Sequence, residues 1–245
     1  MNLKKILTPL FMEEMLRPPK GRANLLAQIA DAEDNGEAKI FDDVLSKVDD
    51  PKLQKMIQRH RDDEVRHGQL FRECVARTGV DPGPMPPELR ALDRIDRKVG
   101  GFFSRKIEDE RGVMIAYLIL QVIEERALEQ FALYLPIFAR YDARTAEVFR
   151  EVIADEERHL KYCEAISRRY APDEDTRVAE LNRLRLLEAS AHLETEQANT
   201  DYAFAQGIFE RPVPRIFWQT MTQWGKKSPI LPLTPQARAA FAQAG

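Results

Sequence analysis

The sequence predicts an all-α protein built around a four-helix bundle. Over long stretches, apolar residues recur at the three- and four-residue spacing of amphipathic helices, and no stretch alternates convincingly as a strand would. Glycine occurs only 11 times, and the 15 prolines cluster in a few joints. Two helical pairs with tight turns are separated by a crossover of roughly thirty residues, an order typical of two antiparallel hairpins forming one bundle.

The helix boundaries follow from capping residues and prolines. Asp50 and Pro51 suit the N-cap and first turn of a helix, Pro136 predicts a kink, and the crossover contains a short amphipathic piece from Glu88 to Lys98. Five long helices are predicted at about Gly21 to Lys47, Pro51 to Thr78, Asp109 to Arg140, Arg144 to Arg169 and Asp173 to Ala205. The resulting division is an N-terminal segment (1–20), the bundle (21–170) and a C-terminal helical extension with a Pro-rich tail (171–245).

Composition excludes several functional classes. With 37 basic and 40 acidic residues, the chain has no large positive field for a nucleic acid. Its two cysteines, Cys74 and Cys163, form no C-x-x-C motif, so a rubredoxin-type iron site is excluded and a reducing cytoplasm is expected. The longest apolar run, Val113 to Ile123, is too short for a transmembrane segment, and no signal peptide is recognised.

The pattern D-E-x-R-H occurs twice, at residues 63–67 and 155–159. Helical spacing places Glu64 and His67 on an otherwise apolar stripe of the second helix, and Glu156 and His159 on one of the fourth. A buried Glu and His need partners. A hydrogen-bonded pair or a solvated face would explain one such match, whereas two symmetrical matches favour a shared metal site.

The first and third helices each offer a carboxylate at matching depth. Glu33 and Glu124 lie on apolar stripes, and each precedes the Glu of the following E-x-x-H by 31 or 32 residues. Glu37 and Glu125 are the alternatives, and the choice between Glu33 and Glu37 stays open at this point.

These residues resemble the ferritin-like di-iron carboxylate superfamily, over about residues 21–169. That superfamily uses a Glu from each of two helices and a Glu-x-x-His from each of the other two. The resemblance implies a site for two iron ions, with manganese or a mixed Fe/Mn pair as options. The implied ligands are Glu33, Glu64, His67, Glu124, Glu156 and His159.

The resemblance also suggests residues that act around the metal ligands. By analogy with ribonucleotide reductase small subunits, Asp63 would orient His159 and Asp155 would orient His67, with solvated carboxylates as the alternative. His60, one turn before Glu64, could relay protons, and Tyr162 could carry an electron. For both residues, packing alone is the more common explanation.

Departures from known members narrow the expected activity. Phe71 occupies the position of the radical-forming tyrosine of reductase small subunits, so radical storage there is excluded. Rubrerythrins carry an extra carboxylate where this chain has Ala127, and the long C-terminal part is unlike a compact ferritin subunit. The stretches 118–139 and 153–166 resemble aldehyde-deformylating oxygenases, which implies an O2-using enzyme with an apolar pocket beside Gly36 and Ala127.

The expected function is therefore an O2-activating oxidase or oxygenase. Its partners would be O2, an unidentified apolar small molecule lodged beside Ala127 and Phe131, and an external electron donor. The alternatives are a ferroxidase or other iron-handling protein, a peroxide-reducing ferritin-like protein and a metal-stabilised scaffold. Residues Ile216 to Trp224, followed by two lysines, could form a membrane patch, a homodimer contact or simple packing.

Overall fold

The computed structural model describes residues 3–35, 38–227 and 229–243, and all regular secondary structure in that part of the chain is helical. The ten α-helices are α1 Leu3–Leu16, α2 Pro19–Asn35, α3 Ala38–Leu45, α4 Pro51–Arg77, α5 Ala91–Lys98, α6 Glu110–Tyr141, α7 Ala143–Tyr170, α8 Glu174–Ala205, α9 Pro212–Lys226 and α10 Pro235–Gln243. Short 3-10 turns at Pro87–Leu89 and Phe102–Ser104 lie in the crossover.

Side-chain caps start the long helices close to where the sequence predicts. Asp50 accepts hydrogen bonds from the backbone N–H groups of Lys52 and Leu53, and Pro51 occupies the first turn of α4. Asp109 and Asp142 cap α6 and α7 in the same way. Asp142 alone separates α6 from α7, so these two helices form a tight antiparallel hairpin.

The bundle consists of α2 with α3, α4, α6 and α7. The strongest packing joins α6 to α7 and α2 to α4, while α4 packs against α7 between the hairpins. The predicted all-helical bundle is confirmed. The predicted first helix appears as α2 and α3, with residues 36 and 37 outside the described part, and α6 continues through Pro136.

The N-terminal and C-terminal parts are more helical than predicted. The segment 1–20 contains α1, and the supposed Pro-rich tail contains α9 and α10. Prolines stand at the first turns of α9 and α10. Backbone N–H groups in a first turn have no acceptor within the helix, so proline, which lacks an N–H, is well suited to start a helix there. Among the described residues, none of the helices is both long and apolar enough to cross a bilayer.

The fifth long helix, α8, covers one side of the bundle by packing on α5 and α6. Its main polar anchor is buried: Arg126 of α6 donates to both carboxylate oxygens of Glu188 at 2.8 Å. The same guanidinium donates to the carbonyl of Pro232 at 2.5 Å, which holds the segment between α9 and α10 against the bundle.

Candidate metal centre

One glutamate from each wall of the bundle lies in a polar layer between two apolar layers. In all four cases a buried apolar side chain stands seven residues before and seven residues after the glutamate, which is about two helical turns. The flanking pairs are Leu26 and Ile40 around Glu33, Ile57 and Phe71 around Glu64, Tyr117 and Phe131 around Glu124, and Phe149 and Cys163 around Glu156. The polar layer is therefore enclosed by two halves of the core.

Two groups of side chains in this layer could each hold a metal ion. The α2-side group consists of Glu33, Glu64, His67 and Glu156. The α6-side group consists of His60, Glu64, Glu124 and His159. Within each group the candidate ligand atoms lie within 4.8 Å of one another. All six ligands implied by the resemblance fall in these two groups, and Glu64 belongs to both.

In the α2-side group, the Nδ1 atom of His67 faces three carboxylates. It lies 3.4 Å from Glu156 Oε1, 3.5 Å from Glu33 Oε2 and 3.8 Å from Glu64 Oε2. The imidazole is fully buried and the Glu33 side chain is 9% exposed. Glu33 thus belongs to this group, whereas its alternative, Glu37, lies outside the described residues.

The α6-side group repeats this arrangement around the Nδ1 atom of His159. That nitrogen lies 2.8 Å from Glu156 Oε2, 3.0 Å from Glu64 Oε1 and 3.7 Å from Glu124 Oε1. Glu64 and Glu156 thus each present an oxygen to both imidazoles. These two carboxylates lie between the groups, whereas Glu33 and Glu124 lie at opposite ends.

His60 gives the α6-side group a second imidazole. Its Nε2 atom lies 2.8 Å from Glu124 Oε1 and 3.2 Å from Glu64 Oε1, and its ring stacks on His159 with centroids 3.9 Å apart. The corresponding position on α7, four residues before Glu156, is Val152. The two groups therefore differ chemically, a difference that the repeated sequence pattern did not reveal.

Asp63 and Asp155 lie on the far side of the two imidazoles. Asp63 Oδ2 is 3.3 Å from His159 Nε2, and Asp155 Oδ2 is 3.2 Å from His67 Nε2. Arg158 donates to both aspartates at 2.6 Å, and Arg66 also contacts both. Each aspartate thus reaches the histidine of the opposite helix, and the two arginines join the aspartates across α4 and α7.

Burial and mutual charge set the protonation of the metal-free cluster. Burial and the neighbouring charge of Glu64 raise the pKa of Glu33 well above its ordinary value. Burial opposes ionisation of Glu64 as well, but its close contacts with the imidazoles of His159, His60 and His67 hold its pKa well below the ordinary value. Burial lowers the pKa of His60. In the metal-free cluster, protonation is therefore favoured at Glu33 and opposed at Glu64 and His60.

The orphaned atoms of the cluster fit a bound cation. Glu64 Oε1 and His67 Nδ1 are buried, and neither forms a hydrogen bond of acceptable geometry with any described residue. A buried carboxylate oxygen and imidazole nitrogen left without such a bond are unfavourable unless a ligand or ion satisfies them. Oxygen and imidazole donors suit iron, manganese and zinc alike.

The other residues singled out from the sequence lie around the cluster. Glu125 does not face the cluster, because Arg185 of α8 donates to its two oxygens at 2.5 and 2.9 Å. Tyr162 is half-buried with its ring centroid 6.4 Å from that of His159. It lies near the cluster but outside both groups.

A cavity of about 1740 Å³ reaches the cluster from the surface. Glu33, Glu64 and Glu124 lie at its inner end, followed by Ala127 and Phe131. Side chains of α1, α8, α9 and the segment after α9 form its outer walls. Sequence reasoning expected an apolar pocket beside Ala127, but it missed these walls because nothing local in a tail sequence shows which bundle face it covers.

Comparisons with protein-family models, with curated proteins and with solved structures found no match to this chain.

Proposed function

We propose that the chain is a ferritin-like di-iron carboxylate oxidoreductase, with an Fe/Mn pair as the variant composition, that uses O2 to oxidise an apolar small molecule. One observation carries this proposal: a buried cluster of four carboxylates and three imidazoles forms the inner end of a large cavity lined mainly by apolar side chains. Electrons would come from an external donor, since the two cysteines of the chain are single and buried.

The donor set supports a two-metal site. Four carboxylates balance the charge of two divalent cations, so the filled site would be close to neutral, whereas the empty cluster depends on bound protons. Glu64 and Glu156 lie between the two groups, where a carboxylate can serve both metals. Glu33 with His67 would hold one ion, and Glu124 with His159 would hold the other.

A reduced iron pair bound by these residues would supply the activation of O2. The protein's own side chains have simpler roles. Asp63 and Asp155 hold the imidazoles with Nδ1 toward the carboxylates, since their oxygens occupy the Nε2 side. Ala127 and Phe131 line the cavity near Glu124, so an apolar substrate would be placed beside that carboxylate.

The size of the cavity supports a role in binding a small molecule. Drug-sized ligands fill roughly 300–1000 Å³, so a cavity of about 1740 Å³ has room for a long or bulky molecule. Apolar side chains such as Ile29, Ala127 and Phe131 line the cavity and support an apolar ligand. Because Asp31, Glu129 and Glu196 line it as well, iron ions could also pass, and the iron count in the following test separates the two functions.

The test begins with metal-free protein loaded anaerobically with Fe(II) and then mixed with O2. We expect about two irons per chain, a single round of O2 consumption, and renewed consumption when a reduced ferredoxin is added. Continued uptake of many irons per chain would show iron handling instead. Failure to bind iron would refute the proposal.

The substrate side is tested separately with an apolar fluorescent probe. Ala127→Phe should fill the inner cavity and weaken probe binding while metal content stays unchanged. Ala132→Phe is the matched control, because Ala132 lies on the same helix but is exposed. Equal probe binding by both variants would show that the apolar ligand does not enter beside Ala127.

A further inference from the structure

Several large apolar side chains are exposed in the C-terminal part of the chain. The exposed fractions are 78% for Val213, 65% for Ile216, 47% for Phe217, 66% for Trp224, 64% for Ile230 and 42% for Leu231. We call these six residues the C-terminal apolar surface. An exposed apolar patch of this kind marks a site of interaction with a partner or a membrane.

Helix α9 presents this surface because its other side is anchored. Trp218 is buried, with its ring centroid 5.3 Å from that of Phe11 in α1. Val213, Phe217 and Trp224 are spaced by four and seven residues, so they lie on one side of the helix, away from Trp218. The apolar side chains are therefore held outward by packing on the opposite face.

The segment after α9 is fixed in a similar way. Arg126 donates to the backbone carbonyl of Pro232 from within the bundle, and the hydroxyl of buried Thr234 caps α10 by accepting from the backbone N–H of Ala237. Ile230 and Leu231 precede these anchors and remain exposed. The segment is thus held by contacts at Pro232 and Thr234, while Ile230 and Leu231 remain exposed to solvent.

The charge of this region is opposite to that of the rest of the chain. Residues 211–245 contain five basic residues and no acidic residue, a net charge of +5, so the remaining residues carry −8 of the total −3. Arg211, Lys226 and Arg238 pair with acidic residues of α1, α8 and α6. Arg215 and Lys227 are exposed beside the apolar surface.

The C-terminal apolar surface is continuous with the cavity. Trp224, Ile230 and Leu231 are exposed and also line the cavity whose inner end is formed by Glu64 and Glu124. The mouth of the cavity is therefore edged by the same side chains that form the surface. The rest of the lining combines apolar side chains such as Ala127 and Phe131 with acidic ones such as Glu129 and Glu196.

We propose that the C-terminal apolar surface docks on an anionic lipid bilayer, with α9 lying in the interface and the cavity mouth facing the lipid. Exposed Trp and Phe beside basic side chains are the composition that favours such binding. A second copy of this chain is the less suitable occupant, because a two-fold contact would bring the same basic, acid-free segment against itself. Docking goes beyond the proposed chemistry and requires no metal.

The two tryptophans of the chain allow a direct test. Trp218→Phe leaves Trp224 as the reporter, and Trp224→Phe leaves the buried Trp218 as the matched control. Full-length protein, with and without metal, is mixed with vesicles of phosphatidylcholine alone or with phosphatidylglycerol added. We expect a blue shift of Trp224 emission and its quenching by brominated lipid, strongest on anionic vesicles and reduced by salt, with no change for Trp218.

Cosedimentation of further variants separates the apolar and charged contributions. Trp224→Ser and Ile230→Ser should each weaken vesicle binding by about tenfold. Lys227→Glu should weaken it on anionic vesicles alone, and Leu186→Ser, at an exposed site on α8, should have no effect. Absence of vesicle binding would overturn the proposal. A blue shift without lipid that grows with protein concentration, together with a doubled mass, would also overturn it in favour of a dimer.

Discussion

The carboxylate of Asp155 lies 3.2 Å from Nε2 of His67, a residue of the opposite helix, and Asp63 stands 3.3 Å from Nε2 of His159 in the same manner. These reciprocal Asp–His contacts between α4 and α7 give a physical reason why the pattern D-E-x-R-H occurs twice. In each D-E-x-R-H, the Glu and His face the polar layer, while the Asp holds the histidine of the other copy. The Arg contacts both aspartates.

Removing the charge of Asp155 should weaken metal binding without disrupting the bundle. Asp155→Asn keeps the size of the side chain but weakens its bond to the His67 ring, so we expect metal affinity to fall by about 10–100-fold. Asp62→Asn is the control, since Asp62 is exposed and bonds only to Gln58 among its described contacts. Competition with a chelator measures the affinity, and equal values for the two variants would contradict this role.

His60 should make the two metal positions unequal. His60→Val places on α4 the residue type that α7 has at Val152, and it removes the second imidazole from the α6-side group. We expect one of two bound metals to be lost more readily than the other, while the second keeps its affinity. Stepwise titration with Co(II), followed by absorption spectroscopy, would reveal this. Parallel weakening of both sites, or no change in either, would rule out His60 as a ligand of one metal.

Metal uptake should release protons and weaken as the pH falls. Burial alone would lower the pKa of His159, but the hydrogen bond to Glu156 and the charge of Glu64 raise it from 6.5 to about 9 in the metal-free protein. Only the neutral imidazole binds a metal, so the ion competes with this proton at every pH below about 9. Affinity should therefore fall by about tenfold per pH unit below that value for each proton displaced.

Calorimetry in buffers of different ionisation enthalpy measures the protons released. The pKa of His67 is also raised, because its close contacts with the carboxylates of Glu156 and Glu33 outweigh burial, so more than one proton per chain is expected at neutral pH. A binding enthalpy that does not depend on the buffer would show that the imidazoles are already neutral.

The sequence predicted the bundle and its polar layer because both depend on local spacing. The position of Glu33, Glu64, Glu124 and Glu156 between apolar residues follows directly from helical periodicity. The sequence does not decide the role of His60, since a buried histidine one turn from a ligand has the same pattern whether it packs or binds. Its 2.8 Å contact with Glu124 depends on how two helices meet.

The helices of the terminal regions were missed for a different reason. The sequence predicts only a Pro-rich tail after the fifth long helix, whereas Pro212 and Pro235 stand in the first turns of α9 and α10. The pairing of Arg126 with Glu188 and Pro232, which fixes α8 and the tail on the bundle, joins residues far apart in sequence. No periodic pattern in either segment indicates the other, so the cavity walls could not be predicted.

Glu124 and Glu125 offer the most direct test of whether the polar layer binds metal. The two glutamates are adjacent and both are buried, but Glu124 belongs to the α6-side group whereas Glu125 pairs with Arg185. Glu124→Gln and Glu125→Gln would be purified from iron- and manganese-replete cells beside the unaltered protein, and metal per chain would be measured. We predict about two metals in the unaltered protein and in Glu125→Gln, and a clear loss in Glu124→Gln. Equal metal content in all three proteins, or no metal in any, would contradict metal binding by this layer.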